Sequence, residues 1–185
     1  MIAGLLLAAG RGERLGTPKA LVEYAGERLL DRGVRLLAEG GCRPVVVVLG
    51  AADADVRGAV VVRNPGWASG MGSSLRAGLA ALPEEAEAVV IALVDQPLIR
   101  PGAVRALIEA RAGLAVATYG GRRRNPVLIA REHFAGVAER AVGDVGARAF
   151  IQAHPELVTE VPCDGHGDPA DIDTPQDLAA LRSQG

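Results

Sequence analysis

Five short, nearly uninterrupted apolar runs mark the chain, at 2–7, 45–49, 60–62, 89–94 and 114–118. Runs of this length without polar alternation predict strands buried on both faces, as in a parallel sheet. Between them, apolar positions recur at helical spacing. Leu29, Leu30, Val34 and Leu37 form one stripe, Leu75, Leu79 and Leu82 a second, and Val104, Leu107 and Ile108 a third. Strand and helix alternate, which predicts repeated βαβ units. The expected fold class is α/β: a three-layer, Rossmann-like, mostly parallel sheet with helices on both faces, forming one domain over residues 1–185.

The rhythm changes after residue 118. A Gly120-Gly121 turn followed by Val127-Leu128-Ile129 predicts a hairpin or strand pair added over the sheet edge. Helices are expected near 131–141 and 146–154, then a strand near 157–161. A loop at 163–171, rich in Gly, Asp and Pro, precedes a last helix starting near Thr174. No internal repeat, low-complexity tract or long linker interrupts the chain.

Composition narrows the function classes. The 185 residues fit one domain, and a hydrophobic fraction of 49% supports a well-formed core. Aromatic residues make up only 3%, so Leu, Val, Ile and Ala must fill that core. A net charge of -2 argues against nucleic acid or an anionic membrane as partner. The basic run Arg122-Arg123-Arg124 is too short to change this. Cys42 and Cys163 lie far apart without metal-type spacing, which fits a reducing, cytoplasmic setting. The apolar start lacks a basic leader and is too short for a bilayer, so it reads as a buried first strand.

The first strand runs into Leu7-Ala8-Ala9-Gly10-Arg11-Gly12-Glu13-Arg14-Leu15-Gly16-Thr17-Pro18-Lys19. Ligands of open α/β sheets sit outside the carboxyl ends of the strands, where this loop belongs. Ala8, Ala9, Gly10 and Gly12 carry almost no side chain, so a base or phosphate can reach the backbone N–H groups. Arg14 and Lys19 add positive charge, and Pro18 stiffens the chain beside Lys19. The alternative is a glycine-rich surface turn with two solvated cations. A dinucleotide fingerprint is excluded, because position 15 is Leu and the second strand ends in Gly50 rather than an acid. A P-loop is excluded because Lys19 follows Pro18 and lacks the Gly-Lys-Ser/Thr context.

This loop resembles the signature of nucleotidyltransferases that activate small phosphorylated substrates. It is most similar to the molybdenum cofactor cytidylyltransferases of the MobA-like group. The resemblance implies a sheet of the nucleotide-diphospho-sugar transferase type. It also implies that Leu7, Ala8, Ala9, Gly10, Arg11 and Gly12 hold base and triphosphate, with Arg14 and Lys19 on phosphates. Guanylyl-transferring relatives usually carry a second glycine where Ala9 stands, so the loop leans toward CTP over GTP.

Two acidic segments extend the case. The strand at 89–94 delivers Asp95, and Pro97 breaks it just beyond. Mg²⁺ takes one or two carboxylates together with phosphates and water. The alternative is a strand-end Asp capping the next turn. In Asp171-Ile172-Asp173-Thr174-Pro175-Gln176-Asp177, Thr174 fits an N-cap, Pro175 the first helical position, and Asp177 a capping box. Asp173 has no such structural duty, and in extended chain it shares a face with Asp171. The pairing of Asp-Gln-Pro with Asp-Ile-Asp-Thr-Pro matches the same family. It implies Asp95 and Asp173 as Mg²⁺ ligands and Asp171 as support.

The stretch Asn64 to Leu75 leads into a helix whose N-terminus suits an anion or polar base edge. Ser73 or Ser74 could equally be an N-cap. By resemblance, Asn64 and Ser74 lie near the nucleotide. Trp67 is either a stacking surface for a pterin or a hydrophobic loop anchor. Gly143-Asp144-Val145-Gly146-Ala147-Arg148 also matches the family on the acceptor side, although Asp144 could instead cap a helix. At Arg124-Asn125-Pro126 the chain departs from an expected Gly-His-Pro, which bears on the acceptor. His166, near Cys163, Asp164 and Asp168, is poorly spaced for zinc.

The expected reaction is transfer of CMP from CTP to the phosphate of a small acceptor such as molybdopterin. Arg14, Lys19 and Asp95 are the catalytic residues and Mg²⁺ the cofactor. Trp67, Asn125, Asp144 and Arg148 face the acceptor, and a molybdoenzyme receiving the product is a further partner. Two other readings stay open: a reductase resembling nicotine-blue oxidoreductase on the same scaffold, and a non-catalytic cofactor carrier.

Overall fold

Residues 1–184 are described by the computed structural model. In chain order the elements are β1 (Ile2–Leu7), β2 (Glu23–Tyr24), β3 (Glu27–Arg28), α1 (Leu29–Glu39), β4 (Val45–Leu49), β5 (Val60–Arg63), α2 (Met71–Ala80) and β6 (Ala88–Leu93). They continue with α3 (Pro101–Glu109), β7 (Leu114–Tyr119), β8 (Arg122–Ala130), α4 (Phe134–Arg140), α5 (Arg148–Ala153), β9 (Thr159–Pro162) and α6 (Pro175–Ser183). Seven strands form one sheet in the order β5-β4-β1-β6-β8-β7-β9. β4, β1 and β6 pair in parallel, as do β4 with β5 and β7 with β9; β8 runs antiparallel to both of its neighbours. β2 and β3 form a separate small antiparallel ladder ahead of α1.

The apolar runs are buried on both faces because the strand pleat sends successive side chains to opposite layers. Leu6 belongs to the buried cluster on one face, which includes Leu29, Leu30 and Leu37 of α1 and Val104 and Leu107 of α3. Leu5 belongs to the cluster on the other face, which includes Leu75 and Leu79 of α2, Val137 of α4, and Phe150 and Ile151 of α5. The predicted three layers are therefore present.

Two expectations change. The Gly120-Gly121 hairpin is not added over the edge: β8 inserts between β6 and β7, and β9 becomes the rim. Val127, Leu128 and Ile129 are buried, and this run fits an interior position better than an edge. The region 131–141 also begins with a short 3-10 turn, Arg131–His133, before α4. Between β7 and β8 the register slips. Val116 faces Val127 and Ala117 faces Arg124, which leaves Asn125 and Pro126 as additional residues on β8. Pro126 has no N–H for a ladder, so a bulge is where it is tolerated. Among the described residues no helix is long and apolar enough to cross a membrane.

Candidate active site

The chain leaves β1 for β4 and β5 on one side and returns to β6 on the other, so the strand order reverses beside β1. Open α/β sheets carry their ligand crevice at such a reversal. Leu7 of β1 lies opposite both Val48 of β4 and Leu93 of β6, so all three strands end level. Backbone bonds fasten the segments just beyond the strand ends. Ala8 N–H donates to Val48 O at 3.0 Å, Val94 N–H to Leu7 O at 3.1 Å, and Ala51 N–H to Ala9 O at 3.1 Å.

The loop then turns on Gly12, whose φ is +68° and whose carbonyl accepts from Leu15 and Gly16. A Cβ at Gly12 would sit 2.1 Å from Thr17 O, so only glycine fits. Pro18 precedes a 3-10 turn, Lys19–Leu21, which points Lys19 back at the sheet edge. An open cleft of about 490 Å³ lies on the β4 side of the loop, lined by Arg11, Gly12, Gly16, Pro18, Ala51 and Trp67.

Lys19 is the centre of the charged cluster. Its Nζ donates to Asp95 Oδ2 at 3.1 Å and to Asp173 Oδ1 at 2.9 Å. Arg14 Nη1 donates to the other oxygen of Asp173, Oδ2, at 2.5 Å. Thus residues 14, 19, 95 and 173 meet in one place, at the edge the first loop occupies.

The pairing of the two aspartates has a local cause. Ile172 is buried, and its N–H donates to Asp95 O at 2.8 Å, which lays the 171–173 segment along the end of β6. Asp171 and Asp173 therefore turn to the side opposite Ile172. Asp177 Oδ2 accepts from the N–H groups of Asp173 and Thr174, and Thr174 Oγ1 accepts from Asp177 N–H, which completes the predicted capping box. Thr174→Ala is expected to lower the unfolding free energy by about 1 kcal/mol, read by urea titration.

Burial raises the Asp95 carboxyl above its usual range, and the Lys19 ammonium only partly offsets this. Asp173 is more open, and the hydrogen bond and charge of Lys19 hold it below that range. Burial acts to lower Lys19, but the hydrogen bond to Asp173 and the charge of Asp95 outweigh it and leave the ammonium raised. The lysine thus stays charged between two carboxylates of unequal comfort.

Asp95 Oδ1 is buried and has no hydrogen-bond partner. A buried, bare carboxylate oxygen calls for a donor or a cation. With Asp173 beside it, this donor set fits Mg²⁺, which prefers oxygen ligands. Among the described residues no group of three or more His, Cys, Asp or Glu side chains converges, including around His166.

Sequence reasoning assigned no contact with Asp171 to two residues that make one. Gln96, 5% exposed, donates from Nε2 to Asp171 Oδ1 at 2.9 Å, and its Oε1 is buried without a partner. Arg124 donates to Pro169 O at 3.3 Å and lies 3.8 Å from Asp171 Oδ2. The amide directly after Asp95 was the available signal for Gln96. Arg124 stood out in the sequence only as part of the Arg124-Asn125-Pro126 departure, and no local pattern pointed to its contact with the segment at 169–171. β8 runs antiparallel with Val127 opposite Ile91, which carries Arg124 and Asn125 toward the edge that holds Asp95.

The middle loop is locked on itself. Asn64 Nδ2 donates to Ser73 Oγ at 2.9 Å and Ser74 Oγ at 3.0 Å, while its Oδ1 accepts from Gly66 N–H. Gly70, not a serine, is the N-cap of α2, and Ser73 Oγ donates back to its carbonyl at 3.0 Å. One helix N–H expected to be free is also taken: Gly72 donates to Gly143 O at 2.8 Å. Asp144 does not cap α5, whose N-cap is Ala147. Instead, Asp144 lies against Gly70, where an added Cβ would come within 2.7 Å of its Oδ1. Trp67 sits against Gly50 and under Arg11, whose guanidinium carbon is 5.6 Å from the ring centroid. It therefore lines the first-loop cleft. Arg148 lies at the start of α5 and is exposed.

Comparison with known proteins fits this geometry. A family described as the MobA-like NTP transferase domain matches residues 4–158. A protein of Paenarthrobacter nicotinovorans named nicotine blue oxidoreductase is 38% identical over 97% of this chain and 96% of its own length. A 2-C-methyl-D-erythritol 4-phosphate cytidylyltransferase of Saccharopolyspora erythraea is 33% identical over 98% of this chain and 71% of its own. The crystal structure of Rv0371c from Mycobacterium tuberculosis H37Rv superposes with a TM-score of 0.86, at 30% identity over 98% of this chain and 97% of that one. A complex of Rv0371c with manganese gives a TM-score of 0.79 at 27% identity, over 100% and 99% of the two chains.

Proposed function

The chain belongs to the MobA-like NTP transferase domain family, and on that premise we propose that it transfers CMP from CTP to the phosphate of a small acceptor. Pyrophosphate leaves, and the acceptor is of the molybdopterin kind. The observation that carries this reading is the meeting of Asp95, Asp173, Lys19 and Arg14 beside the small-residue loop at the sheet reversal. The relative named as a cytidylyltransferase adds support for CTP and a phosphorylated acceptor.

A phosphate monoester is already ionised at neutral pH, so attack on the α-phosphorus needs no enzyme base. The work left to the protein is positioning and charge neutralisation. The loop at Ala9 to Gly12 offers backbone N–H groups to the triphosphate. Arg14 and Lys19 take up charge on the leaving pyrophosphate. Asp95 and Asp173 are the residues that would hold Mg²⁺, and manganese bound to a relative supports a divalent ion in this family. When bound, Mg²⁺ supplies further neutralisation of the phosphate charge. Gln96 and Arg124 steady Asp171 and, through it, the segment that carries Asp173.

A reductase is the second reading, favoured by the 38% identity with the protein named nicotine blue oxidoreductase. The chain carries no nicotinamide fingerprint, since Leu15 breaks the glycine pattern. The two readings separate in a thermal-shift panel of CTP, GTP, ATP, FMN and NADPH, each with and without Mg²⁺. A ligand that binds only the native state raises the melting temperature by mass action. The transferase reading expects the largest rise with CTP and Mg²⁺ together, and pyrophosphate release once acceptor is added. A rise confined to FMN or NADPH would replace it with the reductase.

A further inference from the structure

We propose that Lys19 is a tethered counter-cation that competes with free divalent metal, so that the site takes its metal together with the triphosphate rather than alone. The inference rests on the transferase reading for the ligand, but its physical basis is the charged cluster itself. The Nζ of Lys19 bridges Asp95 and Asp173 at 3.1 and 2.9 Å, between the two carboxylates a metal would use. Its side chain is 16% exposed and that of Asp95 21%, so water screens this pair poorly, while Asp173 at 40% is better solvated. Like charges a few ångströms apart repel strongly in such a setting. A free dication must therefore push the ammonium away and leave it without a partner.

The lysine stem makes displacement possible, because the ammonium is a compact charge on a flexible chain. A triphosphate changes the balance, since its oxygens can receive Lys19 as the metal takes the carboxylates. Arg14 does not interfere in the same way: it binds the outer oxygen of Asp173 from an exposed position.

The test is binding of Mn²⁺ alone, without nucleotide, followed by electron paramagnetic resonance of the free ion. Lys19→Met removes the charge at similar length, and Lys19→Gln serves if the methionine variant does not fold. Either should bind Mn²⁺ at least tenfold more tightly than the parent protein. Its lowered melting temperature should rise more with Mn²⁺ than the parent's does. Adding Asp173→Asn should erase the gain. Variants that bind Mn²⁺ no more tightly than the parent would overturn the proposal, as would a gain that survives Asp173→Asn. If the gain appears but the parent releases no pyrophosphate from CTP, the competition stands and the transferase reading falls. If the parent is an active transferase and no gain appears, the reverse holds.

Discussion

Asp95→Asn is expected to lower pyrophosphate release from CTP by about a thousandfold, the order lost when one electrostatic contact to a developing charge is removed. The amide keeps the shape of the carboxylate but gives up the charge and the ability to take a metal at its buried, unpartnered Oδ1. Stability should change far less than activity. Asp95 is already uncomfortable as an anion, because burial raises its carboxyl. Lys19 loses one partner and keeps Asp173 at 2.9 Å. The unfolding free energy should therefore move by no more than about 2 kcal/mol, well short of losing the fold. A coupled pyrophosphate assay beside a thermal melt checks both halves. A variant with near-parent, Mg²⁺-dependent release would show that Asp95 is not at the reacting centre.

Gly12→Ala is expected to reduce CTP affinity and turnover by about a hundredfold, because a loop displaced by an ångström loses most of its positioning effect. The residue sits at φ +68°, and the new methyl would meet Thr17 O at 2.1 Å. The clash is with backbone, so it is relieved only by moving the 12–18 turn. That shifts Lys19, the next residue along the chain. The turn lies at the surface and touches the core only through the partly buried Leu15, so the melting temperature should fall by only a few degrees. Calorimetric titration with CTP and Mg²⁺ measures the effect. Unchanged affinity would mean that the nucleotide does not rest on this turn.

The layers were legible in the sequence because burial on both faces removes polar alternation, as in Val45 to Leu49 and Ala88 to Leu93. The meeting of Asp95 and Asp173 was legible for a different reason. Asp95 ends a buried strand, and Thr174 with Asp177 accounted for the helix start, leaving Asp173 without structural duty; the family resemblance then paired the two. Strand order after residue 114 was not legible. Insertion of β8 between β6 and β7 depends on long-range pairing, and the apolar character of Val127 to Ile129 suits several positions in a sheet. The lock of Asn64 on Ser73 and Ser74 was hidden as well, because short polar side chains carry no signal for which partner they choose. The same holds for Gln96 on Asp171, which joins positions 75 residues apart. Lys19 read as a phosphate ligand, and its bridge between two distant carboxylates needed coordinates.

The central claim is that Asp95 and Asp173 share one divalent ion beside the loop from Gly10 to Lys19. Anomalous diffraction from crystals grown with MnCl₂ and CTP tests it most directly. The account predicts a manganese peak about 2.1 Å from an oxygen of each carboxylate, with the triphosphate lying on the first loop and the Lys19 ammonium moved onto phosphate oxygens. A metal bound elsewhere, or CTP seated on another face with Lys19 still bridging the aspartates, would contradict it.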